Sequence, residues 1–279
     1  MKLKWLVVNA DDLGLSIGTN LGIEQAHQRG ILTSASLFAT TPALFHALKI
    51  IKRNPKLGVG IHLSLTLGKP VLSPSLVPLL VDKNGDFQSS FGKLIIKSLI
   101  SEKFMEQVTK ELTAQVKKLY SLKIKIDHIN GQQHFHTIPT IYPLVYRMAK
   151  KYKLILRYPD ESFYLIPTPK NLIKYLLIRF FLLFDTKPNS SRFYGLLHTG
   201  NMNQNNVRKI LSCVKPGLTE ILFHPAFYTK ANKDLFDKQK ATSFMSDPNR
   251  YREIRTLISK ETRDLIKKNR ITPTTFSKK

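Results

Sequence analysis

Short apolar runs rich in β-branched residues alternate along this chain with longer segments whose apolar positions recur at helical spacing. This alternation predicts repeated βα units around a parallel sheet. Strands are predicted at residues 3–9, 33–39, 58–65, 125–130, 154–157, 193–197 and 219–224. Helices are predicted between them, for example at residues 17–30, which end on a glycine, and at residues 42–55, which begin and end on proline.

The domain organisation follows from what interrupts this pattern. The chain has 279 residues, of which 42% are hydrophobic, so it can bury a substantial core. It contains no internal repeat and no long Pro/Gly/Ser linker. We therefore expect one domain over residues 1–270, followed by a basic, frayed tail at residues 271–279.

Carboxylates and imidazoles stand where the predicted strands end. The members of this set are Asp11, Asp12, His62, His134, His136 and His224. In a barrel of parallel strands, groups at the carboxyl ends of the strands converge on one rim. These side chains are therefore expected to meet, although they lie far apart in sequence.

The chemistry of this set suggests a metal site. One carboxylate and two neutral imidazoles can hold a catalytic divalent metal and leave positions open for water. A second carboxylate nearby can take a proton from that water. In an extended segment, both imidazoles of the "HFH" at 134–136 would face one side.

Structural explanations stay open for the same residues. Asp11 and Asp12 could cap the helix that starts near Ser16, or shape an Asx turn. His62, in "GVGIHLSLT", could be a hydrogen-bonded core histidine. Taken one at a time, Asp11, Asp12 and His62 leave these explanations open, and only the "HFH" pair is harder to explain structurally.

Four segments together resemble the YdjC-like carbohydrate deacetylases. They occur in the family's order and read "NADDLGLSIGTNLGI", "GVGIHLSLTLGKPV", "DHINGQQHFHTIP" and "EILFHPAF". The resemblance implies a single (β/α) barrel, a distorted TIM-like barrel with its active site at the C-terminal rim. It also implies a metal-dependent hydrolase that removes an N-acetyl group from an amino sugar. The stretches "FYGLLHTG" and "GLTEILFHPA" are most similar to the hopanoid-biosynthesis-associated (HpnK-like) branch.

The resemblance also implies residue roles. Asp12, His62 and His134 would hold the divalent metal, Mg²⁺ or Zn²⁺, and Asp11 would be the general base. His224 would protonate the departing amine, with water or His136 as alternatives.

The resemblance also implies a role for Arg157, and the chain differs from the family pattern at two positions. Arg157 would keep the catalytic carboxylate ionised, or else form a purely structural ion pair. The chain departs from the family pattern at Gln132, where a third histidine is common, and at Asn130, where an aspartate is common. Both changes would affect the groups that orient the ligands.

The composition leaves two other functions open. A formal charge of +25 predicts attraction to phosphates. A nucleic-acid-binding protein would explain that charge, but the sequence has no zinc finger, no RNP-like motif and no Walker-type loop. A non-catalytic sugar- or metal-binding barrel would retain the same ligands. The lone Cys213 excludes an internal disulfide framework, and a cytoplasmic location is the default.

One apolar segment bears on location. Residues 172–184, "LIKYLLIRFFLLF", are interrupted by Lys174 and Arg179 and are too short to span a bilayer, which needs about 20 apolar residues. The N-terminal apolar run is too short for a secretory signal. Residues 172–184 are either a buried barrel helix or a peripheral contact with an anionic membrane at its inner face. The expected partners are an N-acetylated sugar or glycolipid, with a homodimer as a further expectation.

Overall fold

The computed structural model of the protein describes residues 2–88, 90–163, 166–188, 191–228 and 247–278. The strands are β1 (Lys4–Leu13), β2 (Ser34–Phe38), β3 (Gly58–Leu63), β4 (His128–Gly131), β5 (Ile155–Leu156), β6 (Arg192–Tyr194), β7 (Gly217–Phe223) and β8 (Ile271–Pro273). The helices are α1 (Ile17–Arg29), α2 (Leu44–Arg53), α3 (Phe91–Ile100), α4 (Glu102–Ser121), α5 (Tyr142–Lys151), α6 (Pro169–Phe181), α7 (Gln204–Cys213), α8 (Pro248–Ile258) and α9 (Lys260–Lys268). Short 3₁₀ segments lie at Pro74–Leu76, Gln132–Thr137 and Phe276–Lys278.

The strands form one parallel sheet in the order β5, β4, β3, β2, β1, β7, β6, and β8 also pairs with β1. Every strand predicted from the apolar runs is present, with ends that differ by a few residues. The sheet and its surrounding helices make an α/β barrel-like fold of the distorted TIM type, as predicted. Within the described residues, no backbone pairing joins β5 to β6, so the sheet is open there.

The side chains of strand β1 alternate between two buried environments. Leu6 and Val8 belong to the main hydrophobic core, whereas Val7 packs in a separate small cluster with Leu218 and Phe276. This alternation is the period-2 geometry of a strand that is buried on both faces. The apolar runs of the sequence therefore mark strands that lie between the barrel interior and the helices.

The segment after residue 270 is part of the fold. Ile271 pairs with Lys4 at the start of β1, and both Ile271 and Phe276 are buried. The Phe276 ring lies 4.5 Å from the His128 ring, centroid to centroid. The expected frayed tail is therefore wrong, because the apolar side chains of this segment are buried against β1 and the barrel interior.

The helices predicted at residues 17–30 and 42–55 are confirmed as α1 and α2. The segment at 172–184 is only partly buried, since Ile178 and Phe181 are buried while Leu176 and Phe180 are exposed. No helix in the described ranges is both long enough and apolar enough to cross a membrane.

Candidate active site

A β-bulge in β1 explains how two adjacent carboxylates can face the same region of the rim. The pairing of β1 with β2 shifts register between Ala10 and Leu13. Asp12 has φ 72°, in the left-handed region that aspartate tolerates better than most residues. In a regular strand Asp11 and Asp12 would point to opposite faces, and a bulge re-aims one of them. Ser16, not either aspartate, caps α1, so the helix-cap explanation of the pair is wrong.

Asp11 forms a bidentate ion pair with Arg157. The Arg157 Nη1 and Nη2 atoms donate to the two Asp11 oxygens over 2.7 and 2.8 Å. Arg157 also donates to Glu220 Oε1 from Nε over 2.9 Å and from Nη2 over 2.6 Å. All three side chains are buried. Burial alone would raise the pKa of Asp11, but the charge and hydrogen bonds of Arg157, together with the His62 and His224 charges, outweigh it and hold that pKa well below its usual range.

Asp12 lies between a histidine and a second buried arginine. Its Oδ1 atom is 3.6 Å from His62 Nε2, and its Oδ2 atom accepts from Arg250 Nη2 over 3.1 Å. Burial opposes ionisation of Asp12, but the His62 hydrogen bond and the Arg250 charge lower its pKa. Both carboxylates of the pair are therefore ionised at neutral pH.

His62 is oriented by Asn130. The Asn130 Oδ1 atom accepts from His62 Nδ1 over 2.5 Å, which leaves Nε2 facing Asp12. Asn130 Nδ2 in turn donates to Ser36 Oγ over 2.8 Å, which fixes the amide. Burial lowers the pKa of His62, but the Asp11 and Asp12 charges outweigh it and raise that pKa overall. The space between His62 and Asp12 therefore favours a cation.

The same hydrogen-bond network continues into the barrel interior. Ser36 Oγ donates to His128 Nε2 over 3.0 Å, and His128 Nδ1 donates to Asp127 Oδ1 over 2.7 Å. Asn9 Nδ2 donates both to Ser36 Oγ and to Asp11 Oδ1, each over 3.0 Å. The network joins the two sides of the site and has little freedom to rearrange, because each link fixes the next.

The "HFH" segment is a 3₁₀ turn, so the expected extended segment is wrong. His134 has φ 61°, and its ring centroid lies 6.0 Å from that of His136. His136 uses both ring nitrogens, accepting from Gly131 N over 3.0 Å and donating to the Arg157 carbonyl over 3.1 Å. In contrast, the buried Nδ1 atom of His134 has no hydrogen-bond partner among the described residues. The turn therefore leaves only His134 of this pair with a ring nitrogen available as a ligand.

Burial keeps both of these histidines neutral. It lowers the pKa of His134 well below its usual value and that of His136 to about 3. A neutral imidazole is the form that binds metal. The structure brings Asp12 and His62 together and places His134 after β4 on the same rim.

The donor set fits a divalent metal in its chemistry. It consists of one carboxylate, one imidazole nitrogen fixed by Asn130, and the orphaned Nδ1 atom of His134. Within the described ranges, no three His, Cys, Asp or Glu side chains already form a group close enough to hold a metal ion. Of the three expected ligands, Asp12 and His62 are the two that the structure places in contact.

His224 follows β7 directly and is held through its backbone. Its N–H donates to Glu253 Oε2 over 2.5 Å, and its carbonyl accepts from Arg250 Nε over 3.0 Å. Burial lowers the pKa of His224 to about 4, although the Asp12 and Asp11 charges act in the other direction. His224 is therefore neutral near pH 7 and must accept a proton before it can donate one.

Sequence reasoning missed three charged groups at the site. Glu220 could have been noticed as a carboxylate inside the apolar strand "GLTEILF". Arg250 and Lys174 carry no motif that would single them out for the site. Lys174 lies on α6, where burial lowers its pKa to about 8 and the Asp11 charge opposes that shift.

The two departures from the expected pattern have different roles. Asn130 contacts the His62 ring directly, as a partner that orients a ligand would. Gln132 Oε1 accepts from Thr66 Oγ1 over 2.6 Å and from Ser64 Oγ over 3.2 Å. Gln132 therefore holds the loop after β3 in place through hydrogen bonds to two of its side chains.

Comparison of the sequence with known proteins shows which protein family it matches. The family model described as "YdjC-like protein" matches residues 5–268. A carbohydrate deacetylase of Brevibacillus brevis is 33% identical over 274 residues, covering 98% of each chain. A carbohydrate deacetylase of Thermoanaerobacter pseudethanolicus is 33% identical over 225 residues, covering 81% of this chain and 82% of the relative.

A solved structure extends the similarity to the fold. It is the crystal structure of an Enterococcus faecalis protein assigned to cellobiose-phosphate cleavage, 27% identical, with a TM-score of 0.76 over 99% of this chain and 98% of that one. The family model and the nearly full-length similarity agree. The chain belongs to the YdjC-like protein family.

Proposed function

We propose that this protein is a metal-dependent hydrolase that removes an N-acetyl group from an amino sugar and releases acetate. The observation that carries the proposal is the Asp12–His62 pair, 3.6 Å apart and next to an ionised Asp11. Similarity to proteins named carbohydrate deacetylases supports the sugar substrate and the reaction class.

The proposed metal would be held by Asp12, His62 and His134, with Mg²⁺ and Zn²⁺ as the candidates. When bound there, a divalent ion supplies a Lewis acid for the acetyl carbonyl and lowers the pKa of water. Asn130 orients the imidazole of His62, and Arg250 holds Asp12 from the opposite side. These partners would keep the ligand geometry fixed during turnover.

Asp11 is the proposed proton acceptor. Water attacks the acetyl carbon, its proton passes to Asp11, and the C–N bond then breaks. His224 then takes that proton from Asp11 and delivers it to the departing amine, so that the products are acetate and a free amino sugar. Arg157 and Asn9 hold Asp11 charged and in one orientation throughout.

The low pKa of Asp11 gives His224 a second possible role. A general base works best when its pKa lies near the working pH, and Arg157 lowers that of Asp11 well below it. His224 is neutral, and although burial lowers its pKa to about 4, the charges of both aspartates act to raise that pKa. It is therefore the second candidate for accepting the water proton, and variants of the two residues separate the alternatives.

A more specific form of the proposal concerns the group to which the amino sugar of the substrate is attached. Its amino sugar is linked to a lipid, such as a hopanoid-type glycolipid, and the enzyme meets it at the cytoplasmic face of a membrane. A free N-acetylated oligosaccharide is the alternative substrate. The similarity of "FYGLLHTG" and "GLTEILFHPA" to the HpnK-like branch supports the lipid-linked form.

The test is an acetate-release assay. Chelated protein is incubated with a panel of N-acetylated sugars and glycolipids, with and without added Mg²⁺ or Zn²⁺. The proposal expects release only with metal present, and its lipid-linked form expects the glycolipids to be the better substrates. Metal-independent release, or binding of N-acetylated sugars without any release, would overturn it.

A further inference from the structure

Helices α3 and α6 expose an unusual number of large apolar side chains. Six of them are more than half exposed: Ile96, Leu99, Ile100, Ile173, Leu176 and Phe180. We call these six residues the α3–α6 face. Their spacing puts them on one side of each helix. Monomeric proteins rarely expose contiguous apolar patches of more than a few hundred Å², and larger ones mark interaction sites.

Both helices are firmly seated on the barrel by their other sides. Leu94 of α3 and Ile178 of α6 are fully buried. The helices approach each other at Phe91 and Phe181, whose ring centroids lie 6.4 Å apart. Both also pack against the 3₁₀ segment Gln132–Thr137, which carries His134. The exposed apolar residues are therefore the outer surface of anchored helices beside the active-site rim.

The charges on these two helices are all of one sign. They are Lys93, Lys97, Lys170, Lys174 and Arg179, and neither helix contains a carboxylate. Arg179 forms an ion pair with Asp160, a residue outside both helices. In a chain of net charge +25, the cations of these two helices favour an anionic partner, and the carboxylates of Glu102 and Glu106 lie beside Leu99 and Ile100 at one end of the face. A second copy of the chain would instead bring two sets of like charges together.

We propose that the α3–α6 face docks on the surface of an anionic lipid bilayer. Its apolar side chains would enter the boundary between headgroups and acyl chains, and the exposed Lys93 and Lys170 of the same helices would contact the lipid phosphates. With 10 and 13 residues, α3 and α6 are too short to cross the bilayer, so they lie in its surface.

Docking in this way would set the active site close to the bilayer. Helix α6 packs against the 3₁₀ segment Gln132–Thr137, which carries His134, so the helix that docks also borders the active-site rim. The active site would then open beside the lipid surface, where a lipid-linked amino sugar is presented. This consequence rests on the proposed function, but the docking surface does not, because vesicle binding is measured without turnover.

The experiment measures co-sedimentation of the full chain with two kinds of vesicle. One contains phosphatidylcholine alone and the other contains phosphatidylcholine mixed with phosphatidylglycerol. We expect binding only to the anionic vesicles at low salt, weakening as salt is added. The triple variant Ile173→Ser/Leu176→Ser/Phe180→Ser should bind at least about tenfold less well. Phe45→Ser is the matched control, since Phe45 of α2 is 71% exposed but lies outside the face.

A second variant tests the charges without altering the apolar residues. Lys93→Gln/Lys170→Gln should reduce the preference for anionic vesicles by about fivefold for each cation. Circular dichroism melting of every variant shows that it is folded. The proposal is overturned by equal, negligible binding to both vesicles, or by binding that the triple variant retains. A dimer in solution that the triple variant dissociates, without vesicle binding, would assign the face to a second copy instead.

Discussion

Arg157 holds Asp11 by both carboxylate oxygens, over 2.7 and 2.8 Å, across 146 residues of sequence. The same guanidinium also binds Glu220, so one buried cation stands between two buried carboxylates. The purely structural ion pair and the catalytic ion pair considered for Arg157 are therefore not alternatives. The residue neutralises a buried charge and also fixes the protonation state of Asp11.

Replacing Arg157 with methionine should destabilise the fold. The substitution leaves Asp11 and Glu220 as buried carboxylates without their cation, and breaking such a pair typically costs about 3–5 kcal/mol. Urea unfolding of the two proteins measures this difference. Arg179→Met is the control, because it removes a partly exposed ion pair with Asp160 that is worth no more than about 1 kcal/mol. Equal losses for the two variants would contradict the prediction.

Asp11→Asn should preserve the fold and metal binding but lose about 10²- to 10⁴-fold in rate, because an amide cannot accept the water proton. Single-turnover acetate release measures the loss. Asp12→Asn is the comparison, and it should lose metal binding as well as rate. A loss of less than about tenfold for Asp11→Asn would assign the base to another group, and His224→Ala then tests His224 as that base.

The sequence could predict which residues share the rim because that depends only on where apolar runs end. Asp11, His62 and His224 stand at the carboxyl ends of strands whose existence the alternation of apolar runs predicts. The bulge at Asp12 could not be predicted, since it depends on register with β2. Nor could the contact of Arg250 with Asp12, which joins residues 238 positions apart.

The turn at "HFH" shows a different limit. Two histidines separated by one residue share a face only if the backbone is extended, and no local signal showed that it turns here. The structure gives His134 a positive φ and places His136 against the Arg157 carbonyl. Which histidine keeps a free ring nitrogen is therefore decided by tertiary contacts.

Asn130→Leu should weaken metal binding by about 10- to 100-fold, because it removes the acceptor that fixes His62 Nδ1. The leucine is close in volume, so the change acts mainly on the hydrogen bonds. Isothermal titration of the chelated protein with Zn²⁺ measures the affinity. Asn130→Asp is the matched variant, and it should retain the affinity because it keeps an acceptor oxygen. An unchanged affinity in Asn130→Leu would show that Asn130 does not orient His62.

The contribution of Asp185 to stability should fall as pH rises from about 4 to 7. Burial raises the pKa of Asp185 to about 7, and its buried Oδ2 atom has no hydrogen-bond partner among the described residues. At this residue the unfolded chain, with an aspartate pKa of about 3.9, is less protonated than the folded one in this window. Ionising Asp185 therefore destabilises the folded state as pH rises. Asp185→Asn should remove this negative contribution and make the slope of unfolding free energy against pH more positive, whereas the exposed control Asp264→Asn should leave the slope unchanged. Identical slopes for all three proteins would refute this assignment.

The two histidines of the "HFH" turn should respond differently to substitution by alanine. His134 has a buried Nδ1 atom without a hydrogen-bond partner among the described residues, whereas both nitrogens of His136 are occupied. His134→Ala should therefore lose metal affinity and metal-dependent turnover while keeping its melting temperature close to that of the parent. His136→Ala should instead lower the melting temperature, since it leaves the Gly131 N–H and the Arg157 carbonyl buried without partners, at about 1–3 kcal/mol for each group. Zn²⁺ titration and thermal melting of both variants make the comparison, with His27→Ala on α1 as a histidine control outside the site. Normal metal binding and turnover in His134→Ala would remove this residue from the proposed ligand set.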